Sequence, residues 1–169
     1  KQFSYSITTI DELTAALKKI NESPAVEHAS SILFQIFSCS PSEIFTHEIT
    51  AEIKKYFPRA SVIGCSTSGE IVNDHFQEHT VSLSACIFSS ALLYPFGFDC
   101  SAGREKLAGQ QIMKLAGELQ NVKGLEIFSD TKTMDNASML AELSALPREI
   151  TVFGGGADDE ARAFLADGG

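Results

Sequence analysis

The segment from Ala60 to Ile71 constrains the fold more than any other part of this sequence. Its first half, 60–65, is a short run rich in apolar and β-branched residues, which is typical of a strand in a buried sheet. Its second half is small and polar, which favours a loop that presents hydroxyl and backbone N–H groups. Because ligands of open α/β sheets collect where strands end, we predict a binding site here. The predicted site residues are Gly64, Cys65, Ser66, Ser68, Gly69 and Glu70.

Strand and helix patterns alternate along the rest of the chain. Strands are predicted at 3–7, 31–37, 60–65, 81–87, 92–99, 125–128 and 150–153, and helices at 9–20, 40–57, 104–119 and 139–146. Thr9 and Glu12 fit a capping box, and Ser40 with Pro41 marks a second helix start. The runs 81–87 and 92–99 predict an antiparallel hairpin. The predicted fold class is α/β, with a mixed β-sheet that contains an antiparallel hairpin and with helices that cover the sheet faces.

Length and composition narrow the class of protein. The 169 residues predict a single domain, and the net charge of −9 argues against a nucleic-acid partner. Cys39, Cys65, Cys86 and Cys100 lack the spacing of a metal site, so we expect no metal, no cofactor and a reducing, cytoplasmic setting. We expect no secretory signal and no membrane segment. The first and last residues do not look like natural termini, so we expect a piece of a longer protein.

A second glycine-rich loop is predicted at 154–159, after the strand at 150–153. It lacks the lysine of a phosphate-binding loop, and its two aspartates would repel phosphate. We therefore predict a flexible loop beside the first site. Its site residues are Gly154, Gly155, Gly156 and Asp158. Ser129 and Asp130 end another strand and could reach the same rim.

Three alternatives remain open on the residues alone. Cys65 or Ser66 could be the nucleophile of a hydrolase, although Gly64 and Ser68 only partly match the Gly-x-Ser-x-Gly pattern. A metal site at His75 and His79 is the second alternative. Both histidines lie near carboxylates in the sequence, although their spacing matches no recognised set of metal ligands. A scaffold that binds only proteins is the third alternative. Our leading hypothesis, ahead of these three alternatives, is a ligand-binding domain without catalytic residues.

The sequence resembles the N-terminal FIST domain (F-box and intracellular signal transduction). The resemblance is carried by Gly-Cys-Ser-Thr-Ser-Gly-Glu-Ile after a β run, the later strand Val-Ser-Leu-Ser-Ala, and Val-Phe-Gly-Gly-Gly-Ala-Asp-Asp. It covers nearly the whole of 1–169. It implies a sensory domain of a bacterial signalling protein that binds a small ligand, with an amino acid as the candidate. It also implies a FIST C-terminal domain and a signalling output domain as partners in the full-length chain.

The two loops predict a common cleft if their strands end at the same edge of one sheet. Ser66, Ser68 and Gly155 would then form its wall and hold the anionic end of a ligand. Glu70 or Asp158 would hold an ammonium group. The predicted buried strand residues are Phe34, Ile36, Ile63, Leu83, Ile127 and Val152.

Overall fold

A computed structural model describes residues 1–39, 43–98, 100, 102–158 and 163–166; side chains 43–45 and 164 are outside this description. Its strands are β1 Gln2–Ile7, β2 Ser31–Ser38, β3 Ser61–Ser66, β4 Glu70–Val72, β5 His75–Gln77, β6 Val81–Phe88, β7 Gly124–Asp130, β8 Thr151–Ala157 and β9 Ala163–Ala166. Its helices are α1 Ile10–Asn21, α2 Pro24–Glu27, α3 Glu43–Tyr56, α4 Glu105–Glu118 and α5 Asn136–Leu143. The predicted α/β class is confirmed.

The main sheet has five strands in the order β1-β6-β2-β3-β9. β2 and β3 are parallel and are connected through α3, whereas β6 pairs antiparallel with both β1 and β2. β9 pairs antiparallel with β3. The sheet is therefore mixed, as predicted, and the carboxyl ends of β2 and β3 lie at one edge.

Helices α1 and α3 form the core with one face of this sheet. The Thr9 capping box starts α1, because the Thr9 hydroxyl accepts the Glu12 N–H at 3.2 Å and the Glu12 carboxylate accepts the Thr9 N–H at 3.3 Å. Apolar residues at helical spacing then face the sheet. The core members are Leu13, Ala16, Leu17, Ile20, Ile49 and Ile53 from the helices, Ile7, Phe34, Ile36, Val62, Val81, Leu83, Ala85 and Ile87 from the strands, and Phe57 and Ala60 from the segment between α3 and β3. The predicted helix start at Ser40 and Pro41 lies outside the described residues.

The antiparallel hairpin lies at a different place from the one predicted. Residues 92–98 form no strand, so their predicted pairing with 81–87 is wrong. Asp99, the last residue of the predicted strand, lies outside the described residues. The hairpin is β4–β5, whose two-residue turn has Asn73 at φ 51° and Asp74 at φ 66°. Asn and Asp tolerate this left-handed conformation, which matches the twist of hairpin strands. Pro95 interrupts the alternating apolar pattern of 92–98, and proline cannot donate to a ladder.

A second, smaller sheet contains the parallel strands β7 and β8. It contacts the main sheet through Gln35, which donates a hydrogen bond to the Glu126 carboxylate, and through Phe37, whose ring packs edge-on against Phe128 with centroids 5.4 Å apart. Helices α4 and α5 pack together closely at Gly109, where a Cβ would lie 2.6 Å from the Met139 carbonyl oxygen. Helix α5 lies beside the β7–β8 sheet, because Met139 and Leu140 line a cavity together with residues of both strands.

Burial separates the predicted strand residues into two groups. Phe34, Ile36 and Leu83 are buried as predicted. Ile63 and Ile127 are only half-buried, and Val152 is 36 % exposed, so the prediction is wrong for these three. Ile63 alternates with the fully buried Val62 and therefore lies on the face of the main sheet opposite the core, whereas Ile127 and Val152 belong to the smaller sheet, whose β8 is exposed over 151–156.

Candidate functional site

The two loops predicted to form a site lie side by side. The Asp158 N–H donates to the Ser66 carbonyl at 3.0 Å, and the Ser66 hydroxyl donates to the Asp158 carbonyl. The Ser68 hydroxyl donates to the Asp158 carboxylate. β3 and β8 belong to different sheets, so the premise that they are neighbours in one sheet is wrong. Their ends nevertheless meet, because β7 and β8 pack against the main sheet beside β3.

Glu70 connects three segments at this edge. One carboxylate oxygen accepts the Cys39 N–H at 2.7 Å and the Thr67 hydroxyl at 2.5 Å, and the other accepts the Thr80 hydroxyl at 3.2 Å. The residue is only 4 % exposed. A buried carboxylate requires such donors, since charge without partners is costly inside a protein. Glu70 therefore fixes the ends of β2 and β3 to the start of β6.

Backbone geometry explains the glycines at two positions. Gly69 has φ +154°, and a Cβ there would lie 2.6 Å from the Phe76 ring. Gly154 has φ +133°, and a Cβ there would lie 2.0 Å from the Ile127 carbonyl oxygen. Side chains rarely adopt such φ values, so glycine is required at both places. Gly64, by contrast, lies buried within β3 and pairs with Ile36.

The prediction of a flexible loop at 154–156 is wrong. Gly154, Gly155 and Gly156 belong to β8 and pair in register with Ile127, Phe128 and Ser129 of β7. Thr151–Phe153 and the three glycines are exposed. The ladder continues to Asp130 opposite Ala157, so Ser129 and Asp130 do reach the predicted rim.

Only part of the predicted site is accessible. Ser66 is fully buried, and Cys65 is 3 % exposed. Ser68, Asp158, Gly155 and Gly156 are exposed. Their hydroxyl, carboxylate and backbone groups form an exposed polar edge, which we call the strand-end edge. The buried residues Ser66 and Glu70 lie behind it and hold the loops in place.

The geometry is unfavourable for the nucleophiles of the hydrolase hypothesis. Burial raises the pKa of the Cys65 thiol to about 11, so the reactive thiolate is scarce at neutral pH. The Ser66 hydroxyl donates to the Asp158 carbonyl oxygen, which is not a general base. Among the described residues, no group of three or more His, Cys, Asp or Glu side chains is arranged to hold a metal ion, and this includes the surroundings of His75 and His79.

Two cavities lie near the predicted residues. The larger, about 300 Å³, is lined by Gly154–Gly156 together with β7 and α5 residues: Ile127, Ser129, Thr131, Asn136, Met139, Leu140, Val152 and Phe153. The smaller, about 160 Å³, lies at Ile7, Thr8, Ser38, Cys39, His79, Thr80 and Val81. Sequence reasoning missed Thr131 and Asn136. The Asp135-Asn-Ala-Ser138 helix start, soon after the end of β7, was the signal that could have indicated them.

Comparison with known proteins identifies the family. The model of the FIST N domain matches residues 32–168, which is most of the chain. No curated protein and no solved structure gives a match. In the described part of the chain, every helix is too short or too polar to cross a membrane. The extent of the family match shows that this chain belongs to the FIST N domain family, a family of signal-transduction sensory domains.

Proposed function

We propose that residues 1–169 are one sensory domain of a cytoplasmic bacterial signalling protein, and that this domain binds an amino acid. The family supports a sensory role. The free thiols of Cys39, Cys65 and Cys86 support a reducing compartment. The partners of this proposal are a FIST C-terminal domain and an output domain of the same parent chain.

The meeting of the two strand ends carries the proposal. Three hydrogen bonds join Ser66 and Ser68 to Asp158, so polar groups from both sheets converge at the strand-end edge. Such convergence of hydroxyl, carboxylate and backbone groups is typical of sites that take small polar ligands. A ligand at this edge would contact both sheets at once, and its binding would alter how they are held together.

The chemistry of the strand-end edge suits a zwitterion. The exposed backbone of Gly155 and Gly156 offers donors for a carboxylate, and the Ser68 hydroxyl, whose proton is donated to Asp158, retains lone pairs that accept from an ammonium group. The Asp158 carboxylate offers an acceptor for an ammonium group. Because Glu70 is only 4 % exposed whereas Asp158 is exposed, we assign the ammonium to Asp158. The other predicted site residues support the strand-end edge without contacting the ligand in this proposal: Gly64, Cys65, Ser66, Gly69 and Gly154.

Thermal denaturation with a panel of the twenty amino acids tests the proposal. A ligand at a hundred times its Kd stabilises the domain by about 2.7 kcal/mol, a clear rise in Tm. Ser68→Ala and Asp158→Asn should weaken that rise, whereas the exposed controls Ser89→Ala and Asp11→Asn should retain it. Ser66 is unsuitable for a bulky substitution, because its full burial means that such a side chain would displace the loops. If no amino acid raises the Tm, or if both site variants respond as the controls do, the proposal is wrong.

A protein-binding scaffold is the second candidate, and one observation favours it. Leu92, Tyr94, Phe96 and Phe98 alternate along a segment without regular structure and are between 36 and 64 % exposed. A contiguous group of exposed large apolar side chains often marks an interface. Calorimetric titration with a FIST C-terminal domain tests this candidate, because Phe96→Ser should weaken binding if the segment is the interface. Binding unaffected by Phe96→Ser would remove the support for a scaffold role.

A further inference from the structure

Strand β8 has one edge without a partner strand. Within the described residues it pairs with β7 alone, and 151–156 are exposed. The Thr151 N–H donates to the Lys123 carbonyl at 3.1 Å, on the side of β7. Because the backbone groups of successive strand residues point to opposite edges, those of Val152 point to the free edge. A row of such unpaired donors and acceptors is a template for the pairing of another strand.

β8 also lacks the features that keep edge strands from pairing. Natural proteins protect exposed edges with charged side chains, with proline or with a bulge. The sequence of β8, Thr-Val-Phe-Gly-Gly-Gly-Ala, contains no charged residue and no proline. Its ladder to β7 runs in unbroken register from Thr151 to Ala157, so the strand has no bulge. The free edge is therefore open to a strand of another molecule.

The order of side chains along β8 fits a second copy of the same strand. Two identical strands that pair antiparallel are related by a twofold axis, so each contact occurs twice. With Gly154 on the axis, each larger side chain of one copy lies opposite a smaller residue of the other. The pairs are Thr151 with Ala157, Val152 with Gly156 and Phe153 with Gly155.

The pair of Phe153 with Gly155 specifies this register. The Phe153 ring is 52 % exposed, and a Cβ at Gly155 would have no neighbour within 4 Å, so the space above that glycine is open. The ring makes a similar contact in its own sheet, where a Cβ at Gly124 would lie 3.3 Å from it. Rotation of the exposed ring would bring it over Gly155 of the second copy. An aromatic ring that covers a glycine of a neighbouring strand stabilises the pairing and fixes its register.

We infer that the chain forms a twofold-symmetric dimer through β8. The two small sheets then join into one sheet of four strands, with the two β8 strands at its centre. Pairing of two seven-residue strands is small beside a standard interface of about 1,200–2,000 Å², so the dimer should be weak. We expect a Kd on the order of 10–100 µM.

Sedimentation equilibrium of residues 1–169, at concentrations from about 1 µM to 1 mM, tests the dimer. The natural sequence should change from monomer to dimer over this range. Phe153→Lys should raise the dimer Kd at least tenfold, because a lysine on an edge strand opposes pairing. Phe96→Lys is the matched control, since Phe96 is 48 % exposed but lies outside β8, and it should leave the Kd unchanged. A monomer at every concentration, or equal weakening by the two substitutions, overturns the inference.

NMR on an equal mixture of isotope-labelled and unlabelled natural chain locates the contact without any variant. The Phe153 ring should show intermolecular NOEs to Gly155, and exchange of the Val152 amide hydrogen should slow as the protein concentration rises. Intermolecular NOEs that omit Phe153 and Gly155 contradict the inference. Both proposals involve the backbone of Gly155, but Ser68→Ala and Asp158→Asn should leave the dimer intact, so its failure is distinguishable from failure of the amino-acid site.

Discussion

The two halves of the molecule are packed differently. In the main sheet with α1 and α3, Leu17, Phe34 and Ile53 are completely buried. In the β7–β8 pair with α4 and α5, residues 151–156 are all exposed, and a cavity of about 300 Å³ remains between α5 and the strands. Close packing provides stability, whereas bare backbone and unfilled volume leave room for a ligand. The first half is therefore a scaffold, and the second is the part suited to respond to ligands.

The largest expected effect is a difference between matched core truncations in the two halves. Phe34→Ala should lower the free energy of unfolding by about 3–5 kcal/mol, because it removes a fully buried ring. Phe153→Ala, the same change in β8, should cost less than about 2 kcal/mol, because that ring is already 52 % exposed. Urea denaturation measures both values. Similar costs for the two substitutions would mean that β8 is packed as tightly as β2, and the contrast between the halves would disappear.

The second effect concerns the reactivity of a thiol in the scaffold half. With a pKa of about 11 instead of 9, Cys65 has about a hundredfold less thiolate at neutral pH than an ordinary cysteine. Cys65 should therefore react with a thiol probe at least about a hundredfold more slowly than a model thiol does. Its reaction rate should rise about tenfold for each unit of increase in pH as long as the pH stays below the pKa. Mass spectrometry of labelled peptides separates Cys65 from the half-buried Cys39. Rapid labelling of Cys65 that does not change between pH 6 and 8 would restore the hydrolase hypothesis.

The sequence predicted the scaffold half better than the other. The capping box at Thr9 and the apolar spacing of 13–20 are local signals, and both are confirmed. The hairpin was misplaced because the alternation of 92–98 resembles a strand, whereas β4–β5 has only three residues per strand and depends on its Asn73-Asp74 turn. Three consecutive glycines indicated a loop, but the ladder to β7 keeps Gly154–Gly156 in a strand. Such pairing is a tertiary effect that local patterns do not contain.

Sequence analysis has the same limit at the candidate site. The convergence of 65–70 with 154–158 could be anticipated, because loops follow strands and strand ends share edges. The burial of Ser66 and the three hydrogen bonds to Glu70 could not be predicted from the sequence. They depend on how Cys39 and Thr80 approach from β2 and β6. The cavity at Asn136 also requires α5 to lie over β8, which no periodicity in the chain specifies.

The third prediction tests whether Glu70 belongs to the scaffold. Glu70→Gln should lower the free energy of unfolding by about 1–2 kcal/mol, because charge-assisted hydrogen bonds become neutral ones and one oxygen is replaced by a donor group. Glu78→Gln makes the same charge change at an exposed residue and should alter stability far less. Thermal denaturation of both variants provides the comparison. Equal stability of the two would show that the Cys39, Thr67 and Thr80 contacts contribute little.

The smallest effect is at the contact between the halves, where Gln35 of β2 donates to the Glu126 carboxylate of β7. Burial raises the pKa of Glu126, and the Gln35 hydrogen bond only partly opposes this. A carboxyl with a raised pKa in the folded state binds protons more tightly there than when unfolded. Its contribution to stability is therefore complete below the unfolded pKa, near 4.5, and is lost as the pH rises through the folded pKa.

Glu126→Gln removes this pH-dependent loss of stability. It keeps a side-chain oxygen that can accept the hydrogen bond from Gln35. Relative to the natural sequence, the variant should gain stability between pH 4 and pH 7, measured by urea denaturation at several pH values. Glu149→Gln, an exposed residue, should show no such gain. A gain would mean that the two halves are held together less firmly at neutral pH than in acid. Parallel pH profiles for Glu126→Gln and the natural sequence would instead mean that Glu126 is solvated, and that the joint depends on its other contacts, such as the packing of Phe37 on Phe128.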